Sequence, residues 1–187
     1  SLIASDVAVL LNHNNEDPVK RELYQDVRFK QALSVAINRD EINDILYRGQ
    51  GVPGQTTAKP SERWFKEEWA EAYAQYDVGL AGELLDEVGM TDRDPSGFRL
   101  DPDGNQFTMI LMITEGIAVE GAELLKEYFE EVGVRTEIRN IGNDLRREAL
   151  DSAAYDATIA DIGYLQEYEG FAFIADEAYS WAARDWY

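Results

Sequence analysis

The 187-residue chain contains no cysteine and only one histidine, His13. Without cysteine there is no thiolate nucleophile, no cysteine zinc site and no disulfide bond. No apolar run approaches the ~20 residues that a membrane-spanning helix requires. Residues 1–6 also lack the basic and apolar regions of a signal peptide, so we expect any export signal to lie upstream of this sequence.

Positive charge is scarce as well. The chain has 17 Lys and Arg, of which five are Lys, against 37 Asp and Glu, and its formal net charge is −20. A surface this acidic repels nucleic acid and anionic lipid, so we expect neither as a partner. The excess of carboxylates over lysines is compatible with a salt-adapted surface and, more simply, with acidic helices on an ordinary exported protein.

Catalytic patterns are weak in this sequence. A nucleophilic triad needs a base that a third group orients, and neither the serines nor His13 lie in a recognisable setting of that kind. Adjacent carboxylates such as Glu67 and Glu68 point to different faces of a helix and do not converge on a substrate. We therefore expect a protein that is not an enzyme, and a hydrolase is the alternative to be tested by assay.

Apolar residues make up 45% of the chain, enough for one large domain with its own core. The second half has the pattern strand–helix–strand–helix–strand, which predicts a largely parallel sheet with covering helices. Asp26 and Asp77 stand where helix N-caps are expected. The predicted strands are 7–12, 107–114, 134–141 and 155–162, and the predicted helices are 26–38, 39–47, 64–76, 78–88, 118–132 and 143–152.

Residues 92–105 are dense in Asp, Gly and Pro and predict a hairpin-like excursion before a strand. A calcium loop of the EF-hand type needs oxygen ligands at its first, third and twelfth positions, and Asp92, Asp94 and Asp103 match that spacing. Pro95 at the fourth position and Arg99 at the eighth do not fit it. We favour a turn without metal and expect no cofactor. A calcium-dependent or protein-interaction module is one function that this segment leaves open.

An ordered set of motifs gives the sequence its resemblance to a known family. Residues 26–39 have the pattern Asp-Val-Arg-x-x-x-Ala-Leu-x-x-Ala-Ile-x-Arg, preceded by a strand ending in Asn12 and followed by a turn from Gly49 to Pro53. Together with the Tyr76-Asp77 helix start and the Tyr155-Asp156 strand start, this resembles the peptide/nickel/opine group (family 5) of ABC-transporter solute-binding proteins. The similarity extends over roughly residues 7–162.

The resemblance implies an α/β fold, a class II periplasmic-binding-protein lobe whose mixed, mostly parallel sheet is flanked by helices. Residues 1–187 would form one lobe of a two-lobe protein, with hinge-proximal segments at 1–14 and 163–187. Such a protein, expected as a monomer outside the cytoplasm, periplasmic or anchored as a lipoprotein, binds a small solute between its lobes. It then presents this solute, a peptide or an oligosaccharide, to the membrane permease of an ABC importer.

Candidate ligand contacts follow from the same resemblance and from residue chemistry. The strand-end residues are candidates for the edge of the cleft, although His13 is more simply a hinge or cleft-edge residue than a ligand contact. The turn from Gly49 to Pro53 either lines the cleft or is a plain connector. The aromatic residues that follow position 163 suit an amphiphilic ligand, or they pack against the second lobe or the sheet. The predicted contacts are Asn12, His13, Gly51, Tyr164, Tyr168, Tyr179, Trp181 and Trp186.

Overall fold

The computed structural model describes residues 3–55, 65–114 and 117–163. Within these ranges the chain forms four strands and seven helices, and none of these helices combines the length and the hydropathy needed to cross a membrane. The strands are β1 (Ile3–Leu11), β2 (Met109–Ile113), β3 (Thr136–Asn140) and β4 (Ala157–Gly163). The helices are α1 (Pro18–Gln25), α2 (Val27–Ala36), α3 (Arg39–Tyr47), α4 (Glu67–Glu71), α5 (Val78–Glu87), α6 (Ile117–Glu131) and α7 (Asn143–Asp151).

The strands form one mixed sheet in the order β1-β4-β2-β3. β2 runs parallel to both β3 and β4, as the alternation of strands and helices predicts, whereas β1 runs antiparallel to β4. This arrangement confirms the predicted mixed, mostly parallel sheet flanked by helices. The β1–β4 register places Ile3 opposite Gly163, so the start of β1 and the end of β4 lie side by side.

One face of the sheet carries the hydrophobic core. Successive side chains of a strand point to opposite faces, and Met109, Leu111 and Ile113 of β2 all belong to the core together with apolar residues of α2, α5 and α6. Close packing requires a glycine on α6, since a Cβ at Gly121 would lie 2.8 Å from a methyl of Val7 on β1. Helix α6 thus covers this face and contacts all four strands, while α2 packs against α6 and α5 packs against α2.

The predicted helix starts are confirmed at their caps. The Asp26 side chain accepts from the backbone N–H of Arg28 at 2.8 Å, and Asp77 accepts from that of Leu80 at 2.9 Å. Each cap satisfies one of the N–H groups that a helix start leaves without an intrahelical partner. A third cap comes from Asn38, which begins α3.

Two helices differ from the prediction. α1 was not expected, although Asp17 accepts from two backbone N–H groups at its start and Pro18 fixes its first position. The acidic helix predicted for residues 64–76 is confined to Glu67–Glu71. Its glutamates repel one another at helical spacing, it buries no residue, and Tyr73 beyond it has a left-handed φ of 54°.

The segment between α5 and β2 folds as two successive tight turns rather than a single hairpin, each turn closed by one isolated bridge. Gly97 and Gly104 supply the positive φ values of 91° and 82° that these turns need. Arg99, only 5% exposed, ties the segment down by donating to Asp86 Oδ1 at 2.5 Å and to the Val132 carbonyl at 3.0 Å. The turns are thereby fixed to α5 and to the end of α6.

Candidate ligand-binding site

The carboxyl ends of the parallel strands meet at one edge of the sheet. Ile113 at the end of β2 pairs with Asn140 at the end of β3, and the Ile141 N–H donates to the Ile113 carbonyl at 3.0 Å. Gly163 ends the neighbouring β4. Open α/β sheets bind ligands in the crevice outside the carboxyl ends of their strands. We call residues 113–114, 140–143 and 163 the carboxyl edge and take it as the candidate site.

The electrostatics of the carboxyl edge favour uncharged polar ligand groups. α6 and α7 begin there, and the start of a helix carries a partial positive charge. Glu120 and Asp144 already occupy the first turns of these helices and complement that charge. Gly142 precedes α7 without a capping side chain, and a Cβ there would meet open space. The edge therefore suits amides and hydroxyls better than a dense anion.

Asn12 follows β1 and is fully buried. Its amide nitrogen donates to the carbonyls of Ala153 and Tyr155, both at 2.7 Å, and its Oδ1 accepts from the backbone N–H of Asn14 at 3.0 Å. Both amide hydrogens are thus bound by the backbone that precedes β4. These contacts give Asn12 a structural role, and its contact with a ligand stays a prediction.

A polar cluster beside Asn12 was not found by sequence reasoning. The Asp156 carboxylate, 8% exposed, accepts from Lys20 Nζ at 2.6 Å and from Asn15 Nδ2 at 2.8 Å. It also accepts from the backbone N–H of Ile110 at 2.9 Å. We call Asn15, Lys20 and Asp156 the polar clasp, because they join the start of α1 to β2 and β4. The Tyr-Asp pair before β4 is the one sequence signal near this place, but it carried no prediction of a polar cluster, and Lys20 lies on the helix that was not predicted.

Tyr24 lies close to the polar clasp and is fully buried. Its ring packs near Phe29, with the ring centroids 5.8 Å apart. Burial, followed by the negative charges of Asp156 and Asp17, raises the pKa of Tyr24 well above its ordinary value. Among the described residues its hydroxyl has no hydrogen-bond partner. Tyr24 is therefore a neutral phenol that supplies packing at the cost of an unsatisfied polar atom.

His13 is half-buried next to Asn12. Burial, and secondarily the charge of Lys30, lower the pKa of His13 from its ordinary value of 6.5. Its imidazole is therefore neutral at pH 7. The His13 carbonyl accepts from Gln25 Nε2 at 2.8 Å, which ties the end of β1 to the end of α1.

Asn12 and His13 lie at the opposite edge of the sheet from the carboxyl edge. In the antiparallel β1–β4 pair, Leu11 stands opposite Ala157 and Ile3 opposite Gly163. At ~3.3 Å per residue, the two ends of this pair are roughly 20 Å apart. A hinge beside Gly163 is therefore close to Ile3 and remote from residues 12–14, and the assignment of 1–14 and 163–187 as hinge-proximal segments stays a prediction.

Gly51 is held against α3 by one side chain. Its N–H donates to Asn43 Oδ1 at 2.7 Å, and its carbonyl accepts from Asn43 Nδ2 at 3.2 Å. A Cβ at Gly51 would lie only 2.7 Å from that same Oδ1, so this close approach requires glycine. Its role as a cleft-lining residue stays a prediction.

The aromatic residues predicted to contact ligand lie outside the described residues. They follow Gly163, which ends β4 at the carboxyl edge, and their role also stays a prediction. They are Tyr164, Tyr168, Tyr179, Trp181 and Trp186.

The calcium alternative finds no support in the turns between α5 and β2. The Asp94 carboxylate accepts from the N–H groups of Ser96 and Phe98, at 2.8 and 3.1 Å, and pairs with the guanidinium of Arg135. The lone pairs of the Asp94 carboxylate are thus used by N–H groups of the turn and by Arg135. Within the described ranges, no three acidic or histidine side chains are grouped as a metal ion would need.

Sequence comparison identifies the family. A model for the middle region of the bacterial extracellular solute-binding proteins of family 5 matches residues 4–171. The chain belongs to this family. The resemblance that the motifs predict is therefore confirmed.

This family 5 chain is similar to proteins several times its length. It is 26% identical over 151 residues to a probable ABC transporter-binding protein of Deinococcus radiodurans, a match that covers 80% of this chain and 25% of that relative. The structure of an oligopeptide-binding protein OppA superposes with a TM-score of 0.87 at 35% identity, over 94% of this chain and 28% of the other. The periplasmic binding protein MelB of Agrobacterium fabrum, solved with stachyose, shares the fold at 21% identity and a TM-score of 0.70, over 87% and 26%. The chain thus spans about a quarter of the length of curated relatives it matches.

Proposed function

We propose that this chain is one lobe of an extracytoplasmic solute-binding protein, which holds a peptide, an oligosaccharide or another small solute and presents it to the permease of an ABC importer. The family match over residues 4–171 carries the proposal. The relatives support the solute class, because OppA is named for oligopeptides and MelB was solved with stachyose. The proposal includes a monomer located outside the cytoplasm, either in the periplasm or anchored to the membrane as a lipoprotein.

The fold is suited to a clamp mechanism. β1 and β4 lead out of the sheet side by side at Ile3 and Gly163, so a second lobe connected there could move as one body relative to this one. The carboxyl edge includes Gly163, so the candidate site lies next to this connection. A solute that contacts both lobes only when they are closed stabilises the closed form, which is the form a permease can distinguish from the empty protein.

The chemistry of the site supports binding rather than catalysis. The carboxyl edge offers backbone groups and exposed amides, such as those of Asn140 and Asn143. His13 is at the other edge of the sheet, and the carboxylates of Asp94 and Asp156 are bound by N–H and cationic groups. We therefore propose no reaction step for this protein.

Thermal melting in the presence of candidate solutes tests the proposal. The two-lobe protein should melt at a higher temperature with at least one solute from a panel of short alanine peptides, stachyose and metal chelates. A ligand present at a hundred times its Kd stabilises the folded state by about 2.7 kcal/mol. The 187-residue chain alone, with half of the site, should show no shift. A two-lobe protein that responds to no member of the panel, or a single lobe that responds equally, contradicts the proposal.

A further inference from the structure

Helix α3 is held less firmly than its neighbour α2. None of the α3 residues is buried, whereas α2 buries five. Arg39, its first residue, donates to the carbonyls of Ser34 and Ala74 at 2.8 and 3.2 Å. The rest of α3 packs mainly against α6, and its Ile42 is only partly buried against the core. An element with few buried apolar contacts can open locally while the rest of the fold stays intact.

Both helices at this contact carry an excess of negative charge. α3 has three carboxylates against one cation, and α6 has five against one. Arg39, the cation of α3, is bound to carbonyls, and Lys126, the cation of α6, pairs with Glu130. In the part of the chain that the structure describes, no ion pair includes Glu41 of α3 or Glu127 and Glu131 of α6. These three carboxylates are all exposed.

Two tyrosines bring the three carboxylates into one region. The Tyr128 hydroxyl donates to Glu41 Oε2 at 2.9 Å, and the Tyr76 hydroxyl donates to Glu131 Oε2 at 2.8 Å. The two rings are neighbours, with their centroids 6.4 Å apart. Burial, and then the bond and charge of Glu41 and the charge of Glu127, raise the pKa of Tyr128. We call Glu41, Glu127 and Glu131 the acidic seam.

The charge of Glu41 also reaches the second tyrosine. The hydrogen bond to Glu131 has the largest effect in raising the pKa of Tyr76, and the charge of Glu41 adds to it. Glu41 therefore acts on a hydroxyl that is itself bonded to Glu131. The tyrosine hydroxyls connect the carboxylates of α3 and α6 but leave their charges in place.

We propose that the acidic seam makes the docking of α3 on α6 depend on ionic strength, so that α3 is docked in concentrated salt and opens locally in dilute salt. Exposed charges that are closer than a Debye length repel one another. That length falls from ~10 Å at about 0.1 M salt to ~3 Å at about 1 M. Salt thus removes the repulsion between the two helices and keeps their apolar and hydrogen-bonded contacts. The inference stands independently of the proposed function.

Hydrogen exchange of the full-length protein, followed by mass spectrometry, tests the proposal at about 0.1 M and about 1 M KCl. α2 is the internal reference, because it is buried in the core. In dilute salt the amides of α3 should be less protected than those of α2, since α3 opens by itself. Equal protection of the two helices in dilute salt would mean that they open together, and this result overturns the proposal.

A double variant removes the charges of the acidic seam from α6. Glu41 is left unchanged, because it lies in the first turn of α3, where its charge stabilises that helix. Glu127→Gln with Glu131→Gln keeps an acceptor for the Tyr76 hydroxyl and removes two like-charged pairs with Glu41. At about 0.1 M KCl the protection of α3 should rise about two- to fivefold, as expected for two such pairs. At about 1 M KCl the variant and the wild type should agree.

A matched control removes the same net charge elsewhere. Glu16→Gln with Glu22→Gln changes two exposed carboxylates, one before α1 and one on it. This variant should leave the protection of α3 unchanged at both salt concentrations. If it protects α3 as much as the α6 variant does, the effect comes from the total charge of the protein, and the acidic seam has no role of its own.

The dependence on salt separates repulsion from packing. A gain in α3 protection that is equal at both KCl concentrations would show that the α6 variant improves a contact, and no gain at either would show that the carboxylates do not repel; both results overturn the proposal. Sucrose favours folding but carries no charge. Added at about 0.1 M KCl, it should therefore leave the difference between the α6 variant and the wild type in place, and loss of that difference in sucrose overturns the proposal as well.

Discussion

Replacing Asp156 with alanine removes the carboxylate that joins α1, β2 and the start of β4. The Lys20 ammonium, 2.6 Å from Asp156 and on a side chain only 20% exposed, loses its counter-charge. The backbone N–H of Ile110 loses its acceptor at 2.9 Å, and the Asn15 amide loses one of its two acceptors. The substitution thus leaves Lys20 without a counter-charge, bound to the Thr108 carbonyl at 2.8 Å, and leaves an unsatisfied N–H donor beside the core.

The size of the loss follows from these contacts. Removing one partner of a buried ion pair costs about 3–5 kcal/mol, and an orphaned buried N–H costs about 1–3 kcal/mol. Because Lys20 retains some exposure, its ammonium can regain part of its hydration. We therefore expect the free energy of unfolding to fall by about 3–4 kcal/mol, a large part of the ~5–15 kcal/mol that typical domains have.

Urea denaturation followed by circular dichroism measures this loss at pH 7. Glu68→Ala is the matched control, since it breaks the exposed Lys66–Glu68 pair, 3.6 Å apart with side chains 55% and 71% exposed. Such surface pairs contribute about 0.2–1 kcal/mol. If Asp156→Ala costs no more than Glu68→Ala, the clasp does not hold the fold together and the reasoning is refuted.

Three further perturbations test other parts of the description. Tyr24→Phe deletes the unsatisfied buried hydroxyl and should leave the melting temperature unchanged or raise stability by up to about 1 kcal/mol; a clear loss would show that the hydroxyl has a partner. The pKa of His13 is lowered in the folded state, so the unfolded chain binds more protons below the ordinary value of 6.5. Stability should therefore be complete above pH 6.5 and fall as the pH drops below it. His13→Gln should flatten that slope, and an NMR titration of the single histidine should give a midpoint below 6.5. Glu123 and Glu127 are exposed four residues apart on α6, in a chain of net charge −20. Potassium chloride should raise the melting temperature by screening such repulsion. Changing both residues to Gln should reduce this dependence on salt, because the repulsion within one such pair costs about 0.2–0.5 kcal/mol.

The parts of the fold that local patterns encode could be predicted. α2 begins after Asp26 because that side chain caps it, and its apolar residues recur at helical spacing. α3 spans the predicted residues, Arg39–Tyr47. The alternation of strands and helices in the second half was enough to predict parallel pairing of β2, β3 and β4.

Long-range relations could not be predicted in the same way. α1 has only Leu23 and Tyr24 as buried residues, so its periodic signal is short, although the Asp17-Pro18 start was present in the sequence. The partners Lys20 and Asp156 are 136 residues apart, and no local pattern links them. The polar clasp therefore becomes visible only when the strands are placed.

The candidate site shows the same limit. The family resemblance, which includes a strand ending in Asn, suggested that Asn12 lies at the edge of a ligand cleft. The position of Asn12 depends on the pairing of the strands. Because β1 runs antiparallel to β4, Asn12 lies at the edge of the sheet away from Gly163, and its amide is bound to backbone carbonyls. The family resemblance needed no such geometry, because it rests on the order of motifs along the chain.

The adjacency of Ile3 and Gly163 also has a mechanical consequence. In an antiparallel pair the interstrand hydrogen bonds lie perpendicular to the strands, so tension applied at these two residues acts along the bonds and loads them one after another. The ladder is sparse at this end, since the register of β1 shifts twice between Ile3 and Ala8. A pull that separates the two ends therefore peels β1 from β4 at low force, before the load reaches the parallel strands and the core behind them.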